Sequence, residues 1–234
     1  MNSEQTSFVF APQAAPSVPI LDSDASFPVH RIFCIGRNYA AHAREMGVAV
    51  DRDAAIYFMK DASSIVLSGS TIDYPPGTEN CHHEIELVVA IGEPAFRIAT
   101  EEAASAIFGY ACGIDLTRRD LQLLARDKGR PWDLGKNFEN AAVISAIIAA
   151  GASGLIDSGN ISLSVNDETK QDGDIRDLIW TIPELIADLS QYYHLVPGDL
   201  IYTGTPAGVG PVLPGDRITG RIDNVGEITL TIAL

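Results

Sequence analysis

The sequence predicts a β-rich α+β fold on three observations. Short Val/Ile-rich runs recur along the chain, only three strong helix signatures interrupt them, and the runs crowd the C-terminal half. A doubly wound sheet would require a helix after nearly every strand. Length and composition agree, because 234 residues with 46% hydrophobic and 20% charged content can bury a sizeable core and lie outside the disordered class.

Pro12, Pro16, Pro19 and Pro28, scattered among Ser and Asp, mark residues 1–30 as an extended N-terminal arm. Residues 31–234 carry no linker, low-complexity tract or solenoid-length repeat and read as one domain. The first helix opens with Asn38 as N-cap and runs over 39–46 until Gly47 stops it. Strands follow at 85–91 and 109–114, with a further short helix beginning at Thr100. The second helix takes Thr117 as cap with Asp120 three residues on, and closes on Arg126 and Lys128 before Gly129 and Pro131. The uncharged run 140–156 falls short of a membrane-spanning length and reads as buried core. A strand at 161–165 ends in a hairpin turn at Asn166-Asp167. Thr181 and Glu184 are spaced as a capping box, with Pro183 in the first turn of a third helix that reaches about 193. Pro-Gly-Asp triplets at Pro197 and Pro214 each launch a β-run, and strands at 200–203 and 228–232 complete the chain.

Sixteen basic against 31 acidic residues leave a net charge of −15, which repels polyanions and argues against DNA, RNA or anionic membranes as partners. Cys34, Cys81 and Cys112 are odd in number and widely separated, so neither a disulfide framework nor a zinc knuckle is indicated. The first basic residue is Arg31, which leaves no charged n-region of a secretory signal. A reducing cytoplasm is the expected compartment.

The chemistry concentrates at His82-His83-Glu84-Ile85-Glu86. Period-2 alternation places Glu84 and Glu86 on one face of a strand, about 7 Å apart. At an effective dielectric near 20 they repel by roughly 2 kcal/mol, so a cation is expected beside them. An arbitrary Glu-x-Glu is more often a solvated strand face, but this strand is too apolar for that. Asp115 ends the next apolar run, where the second helix begins. Three oxygen donors without a thiolate favour Mg²⁺ or Mn²⁺, and Ca²⁺ also suits such a set.

Arg119 and Gln122 share one face of the second helix and can both lean toward whatever Asp115 holds; the alternative for Arg119 is a surface ion pair. His42 and Glu45 stand at i and i+3 on the first helix, close enough for the carboxylate to orient the imidazole as a general base. The preceding Gly36-Arg37-Asn38-Tyr39 would hinge that helix as a lid. His82 shares the face of Glu84 and is either a ligand or a packing residue, and His83 is equally open. Lys136 follows Trp132-Asp133-Leu134-Gly135; it either stabilises an enolate or pairs with one of the many acids. The Gly-rich stretch 202–210 lacks the Lys-Ser/Thr of a P-loop and reads as a backbone-lined pocket for a small anion.

The strings IGRNYAAHAREMG, HHEIELVVAIG, GYACGIDLTRRDLQ, RPWDLGKNF and LIYTGTPAGVG together resemble the fumarylacetoacetate hydrolase family, from Arg31 to the C-terminus, with greatest similarity to its small acylpyruvases. The resemblance implies a mixed β-sandwich roll, a homodimer, and Mg²⁺ or Mn²⁺ held by Glu84, Glu86 and Asp115. It implies a water-activating His42–Glu45 dyad on a lid, with Lys136, Arg119, Gln122, Lys60 and Thr205 completing the pocket. The implied reaction is hydrolysis of the C–C bond of an acylpyruvate, with fumarylpyruvate cleaved to fumarate and pyruvate as the first expectation. Oxaloacetate decarboxylation, dienoate isomerisation and an inactive ligand-binding relative are the alternatives. Two departures bear on substrate preference: Asp61 stands where a proline is usual after Lys60, and Phe138-Glu139-Asn140-Ala141-Ala142-Val143 replaces the common F-D-x-S/A-x-P pattern.

Overall fold

The computed structural model describes residues 7–47 and 52–234, so the first six residues of the expected arm lie outside the described residues. The strands 85–91 and 109–114 expected from their apolar runs appear as Ile85–Ile91 and Ile107–Asp115, paired antiparallel at the centre of an eight-stranded mixed sheet. On one side of this pair Asp199–Tyr202 runs antiparallel to Ile85–Ile91 and parallel to Arg31–Gly36, with Ile56–Lys60 at the edge. On the other side Ala142–Ile144 follows, then Ile65–Leu67 in parallel.

Every residue of Ile85–Ile91 is buried, because both faces of the sheet are covered. Ile85, Leu87, Val89 and Ile91 point into the larger core, shared with the helix Ile182–Tyr192 and a five-stranded sheet. The order of that second sheet is Glu168–Asp174, Asn160–Val165, Arg217–Ile222, Gly226–Ile232, Ser70–Ile72. Val88 and Ala90 point to the opposite face, onto Ile32, Cys34, Ile144 and Tyr202. Val18 and Phe27, from the hairpin Ser17–Pro19/Ser26–Pro28, close this second layer. Two backbone bonds of 2.8 Å, Ile147 to Pro19 and Leu21 to Ile147, tie the hairpin down.

Asn166 and Asp167 take φ of 50° and 65° in the expected hairpin turn between Asn160–Val165 and Glu168–Asp174. The third helix spans Ile182–Tyr192, and Glu184 accepts from the Thr181 backbone N–H at 2.8 Å. Three sequence expectations change. Asn38 does not cap the first helix, which spans Ala40–Glu45; its side chain instead bonds the backbone of Trp180 and Thr203. Thr117 does not cap the second helix, Arg119–Asp127, because its hydroxyl accepts from Lys136 Nζ at 2.7 Å. The uncharged run is core except in one stretch: Ala141 to Ile144, Ile147 and Ile156 are buried, whereas Ala150–Ser153 forms a short surface helix with no buried residue. Absence of charge there reflects a small-residue surface turn as well as a core strand. All three cysteines are buried free thiols. Among the described residues no helix is long and apolar enough to cross a membrane.

Candidate active site

Strand parity and register assemble the acidic trio. Glu84 and Glu86 have the parity of Val88 and Ala90, as expected, and so does Asp115 relative to Ala111 on the neighbouring strand. The Asp115 N–H donates to the Glu84 carbonyl at 2.9 Å, which sets the two residues opposite each other at the open end of the second core layer. One carboxylate oxygen from each of Glu84, Glu86 and Asp115 lies within 4.8 Å of the others, and all three residues are buried.

Cations compensate the trio. Lys136 Nζ donates to Glu84 Oε2 at 2.8 Å, Asp115 Oδ2 at 2.6 Å and Thr117 Oγ1, which uses all three of its hydrogens. Arg119 pairs with Glu84 Oε1 and with Gln122 Oε1, and its Nε–H donates to His82 Nδ1 at 3.3 Å. Burial alone would raise the Glu84 pKa, but Lys136, Arg119 and His42 outweigh it and hold the carboxyl well below its usual range. Glu86 is pushed the other way by burial and by Asp115 and Glu84; among the described residues its carboxylate accepts one hydrogen bond, from the Gly204 N–H at 2.8 Å. For Lys136 burial favours the neutral amine, and the Asp115 and Glu84 charges overcome it and raise the pKa. Gly204 is required there: its φ is 100°, and a Cβ would stand 2.7 Å from that of Asn38.

Asp115 Oδ1 is buried and accepts no hydrogen bond. Lys60 Nζ lies 2.8 Å away as an ion-pair partner, with two of its three hydrogens taken by the carbonyls of Leu116 and Lys136. A buried carboxylate oxygen left in this state fits a missing cation, and an all-oxygen donor set suits a hard dication.

The short first helix brings His42 over the trio. Its Nδ1 is 3.1 Å from Glu45 Oε2, and Gly208 N–H anchors Glu45 at 3.1 Å from Oε1. His42, Glu84, Glu86, Arg119, Gln122, Lys136 and Thr205 line one cleft. Glu45 sits behind His42 as its orienting partner. Lys60, expected among the substrate contacts, lies beneath Asp115 and does not line the cleft.

His82 and His83 are placed as packing partners. His82 is held between Asn80 Oδ1 and Arg119, and burial first, then the Arg119 charge, lower its pKa to about 4. His83 Nδ1 faces Gln171 Oε1 at 3.0 Å. Gln171 itself was not legible in the sequence. Its Oε1 also accepts from the Ile85 N–H, and its Nε2 donates to Thr205 Oγ1 at 2.8 Å and to the Pro206 carbonyl. It is the one fully buried residue of an otherwise exposed or half-buried polar strand, a position that no local pattern marks. Arg37, Phe58, Arg126 and Trp132 also line the cleft without having been singled out for it.

A two-layer β fold with an oxygen-donor trio, a buried lysine and a histidine–carboxylate dyad gathered at and behind one cleft defines a class, and the chain belongs to it. It is a member of the fumarylacetoacetate hydrolase family: residues 31–233 match the family's fumarylacetoacetate (FAA) hydrolase C-terminal model. Among its relatives, a fumarylpyruvate hydrolase of Ralstonia sp is 53% identical over 189 residues, 80% of this chain and 98% of that one. A mitochondrial oxaloacetate tautomerase of Arabidopsis thaliana is 39% identical over 202 residues, 86% of this chain and 90% of that one. The crystal structure of fumarylpyruvate hydrolase from Pseudomonas aeruginosa in complex with Mn²⁺ and pyruvate superimposes with a TM-score of 0.94 at 46% identity, covering 97% of this chain and all of that one.

Proposed function

We propose that this chain is a metal-dependent hydrolase that cleaves the C–C bond of acylpyruvates, with fumarylpyruvate, converted to fumarate and pyruvate, as its substrate. The carrying observation is that the buried trio Glu84, Glu86 and Asp115 meets the cleft through Glu84 and Glu86, where His42, paired with Glu45 behind it, also lies. The names of the Ralstonia and Pseudomonas relatives support the choice of substrate, and the Mn²⁺ and pyruvate of the Pseudomonas structure support a divalent metal.

In this reading Glu84, Glu86 and Asp115 hold the ion, which when bound polarises the diketo acid and stabilises charge developing on the pyruvate fragment. Glu45 accepts from His42 Nδ1 and so leaves Nε2 free to take a proton from water, general-base help worth roughly 10²–10⁴ in rate. The hydroxide adds to the acyl carbonyl carbon, the C–C bond breaks toward the pyruvyl carbon, and that carbon finally takes up a proton. Lys136 fixes a positive charge at the pyruvyl end, and Arg119, Gln122 and Thr205 orient the substrate. Lys60 acts on substrate only through Asp115. Residues 31–234 form the catalytic domain, with 1–30 as an appended arm. The enzyme works in the cytoplasm, supported by its unpaired thiols, and as a homodimer, which light scattering would test.

The test is an assay of purified protein with Mg²⁺ or Mn²⁺ against fumarylpyruvate, acetylpyruvate and oxaloacetate. Fumarylpyruvate should lose its ultraviolet enol band fastest, and only when metal is present. His42→Ala should lower kcat by at least a hundredfold with Mn²⁺ affinity changed less than threefold. Full activity after complete chelation, or no turnover of any acylpyruvate, overturns the reading.

A further inference from the structure

The cleft contains two kinds of positive charge. Arg119 and Lys136 are neutralised by the trio they touch. Arg37 and Arg126 line the same cleft and bond to none of those carboxylates. Among the described residues Arg37 makes no ion pair or hydrogen bond; its guanidinium lies 5.7 Å from the centre of the Trp132 ring. It is half-buried, and burial first and then the Arg126 charge lower its pKa. Arg126 donates to the Met46 carbonyl at 3.3 Å and, among the described residues, its one ion pair is to the largely exposed Asp127, a sequence neighbour, at 3.2 Å. Such a solvated pair is worth little and leaves the guanidinium free to take a better anion.

Two guanidinium groups held in mutual repulsion, in a protein of net charge −15 with abundant acids to pair them, need a reason. The Arg37 backbone adds to it: φ is 60°, a left-handed conformation that is unfavourable for a non-glycine residue, and it turns Arg37 out of the Arg31–Gly36 strand into the cleft. Planar forks of N–H donors stacked on an aromatic ring are suited to a carboxylate.

We propose that Arg37 and Arg126 form a subsite for a second substrate carboxylate, on the acyl part, and so select dicarboxylic over monocarboxylic acylpyruvates. This rests on the acylpyruvase reading and extends it to the acyl group. Fumarylpyruvate carries that second carboxylate; acetylpyruvate has the same pyruvyl end and a methyl group instead.

The test uses the Mn²⁺-loaded enzyme, wild type and the variants Arg37→Met, Arg126→Met and Arg126→Lys. The readout is the ratio of kcat/KM for fumarylpyruvate to that for acetylpyruvate. Each Met variant should lower this ratio at least tenfold, as expected for losing a charged hydrogen bond, and Arg126→Lys should retain part of it. A ratio that stays within twofold of wild type, or an equal loss on both substrates, overturns the proposal. Calorimetric binding of fumarate and crotonate supplies a readout independent of turnover. Wild type should prefer fumarate, the doubly charged probe, and the Met variants should lose that preference. If no acylpyruvate is cleaved but this pattern holds, the catalytic reading fails and the subsite stands. If cleavage holds but wild type shows no fumarate preference, the subsite is wrong.

Discussion

Lys60 Nζ stands 2.8 Å from Asp115 Oδ1 as an ion pair, while two of its three hydrogens go to the carbonyls of Leu116 and Lys136. The lysine thus offsets the buried charge from beneath the trio. Lys60→Met removes the charge and unpairs two carbonyls. It should cost the metal-free protein about 3–5 kcal/mol, read from the urea midpoint, with the gap narrowing in saturating Mn²⁺. An unchanged midpoint would mean that Lys136 alone balances Asp115.

Loading the trio should stabilise the fold by mass action. At a free Mn²⁺ concentration a hundred times Kd the gain is about 2.7 kcal/mol, visible as a rise in Tm that chelation reverses. Asp115→Asn should lose most of that increment, whereas Asp127→Asn, at the exposed end of its helix, should keep it.

His82 links stability to pH. Its Nδ1 accepts from Arg119 Nε, so the imidazole is held neutral, and burial and Arg119 lower its pKa to about 4. An unfolded histidine titrates near 6.5. Between those values the unfolded chain binds more protons, so the His82 contribution is intact above about pH 6.5 and is lost as pH falls toward 4. The urea midpoint of His82→Asn should fall less steeply than that of wild type over this range; parallel profiles would assign the slope to other groups.

Gln171 connects the outer hairpin to the cleft through Thr205, Pro206, His83 and Ile85. Gln171→Leu leaves buried polar partners unsatisfied and should cost about 2–3 kcal/mol. Because Thr205 loses its anchor, KM should rise as well, measured on protein shown by circular dichroism to be folded. A variant with wild-type stability and KM would reduce Gln171 to a spacer.

What was readable in the chain depended on how local the physics is. Glu84 and Glu86 share a face by strand period alone, and Asp115 joins them because it ends the partner strand. The His42–Glu45 contact follows from helical spacing. Asn38 and Thr117 have good cap chemistry, yet tertiary partners at Trp180, Thr203 and Lys136 outcompete the helix ends. Gln171 stands 86 residues from Ile85 and 34 from Thr205, so its role exists only once the two sheets have packed. Arg37 belongs to a motif that was noticed, but its isolation is a property of the assembled cleft.

The strand Asp199–Tyr202 is inserted between Arg31–Gly36 and Ile85–Ile91, and Arg31 meets Asp199 across 168 positions of chain. A polypeptide emerging from the ribosome therefore keeps its central sheet split until residues 199–202 have been made, and the Gly204 amide that holds Glu86 arrives later still. Closing so long a loop is slow, which leaves two apolar strand edges exposed during synthesis and ties acquisition of the ion to the arrival of that late strand.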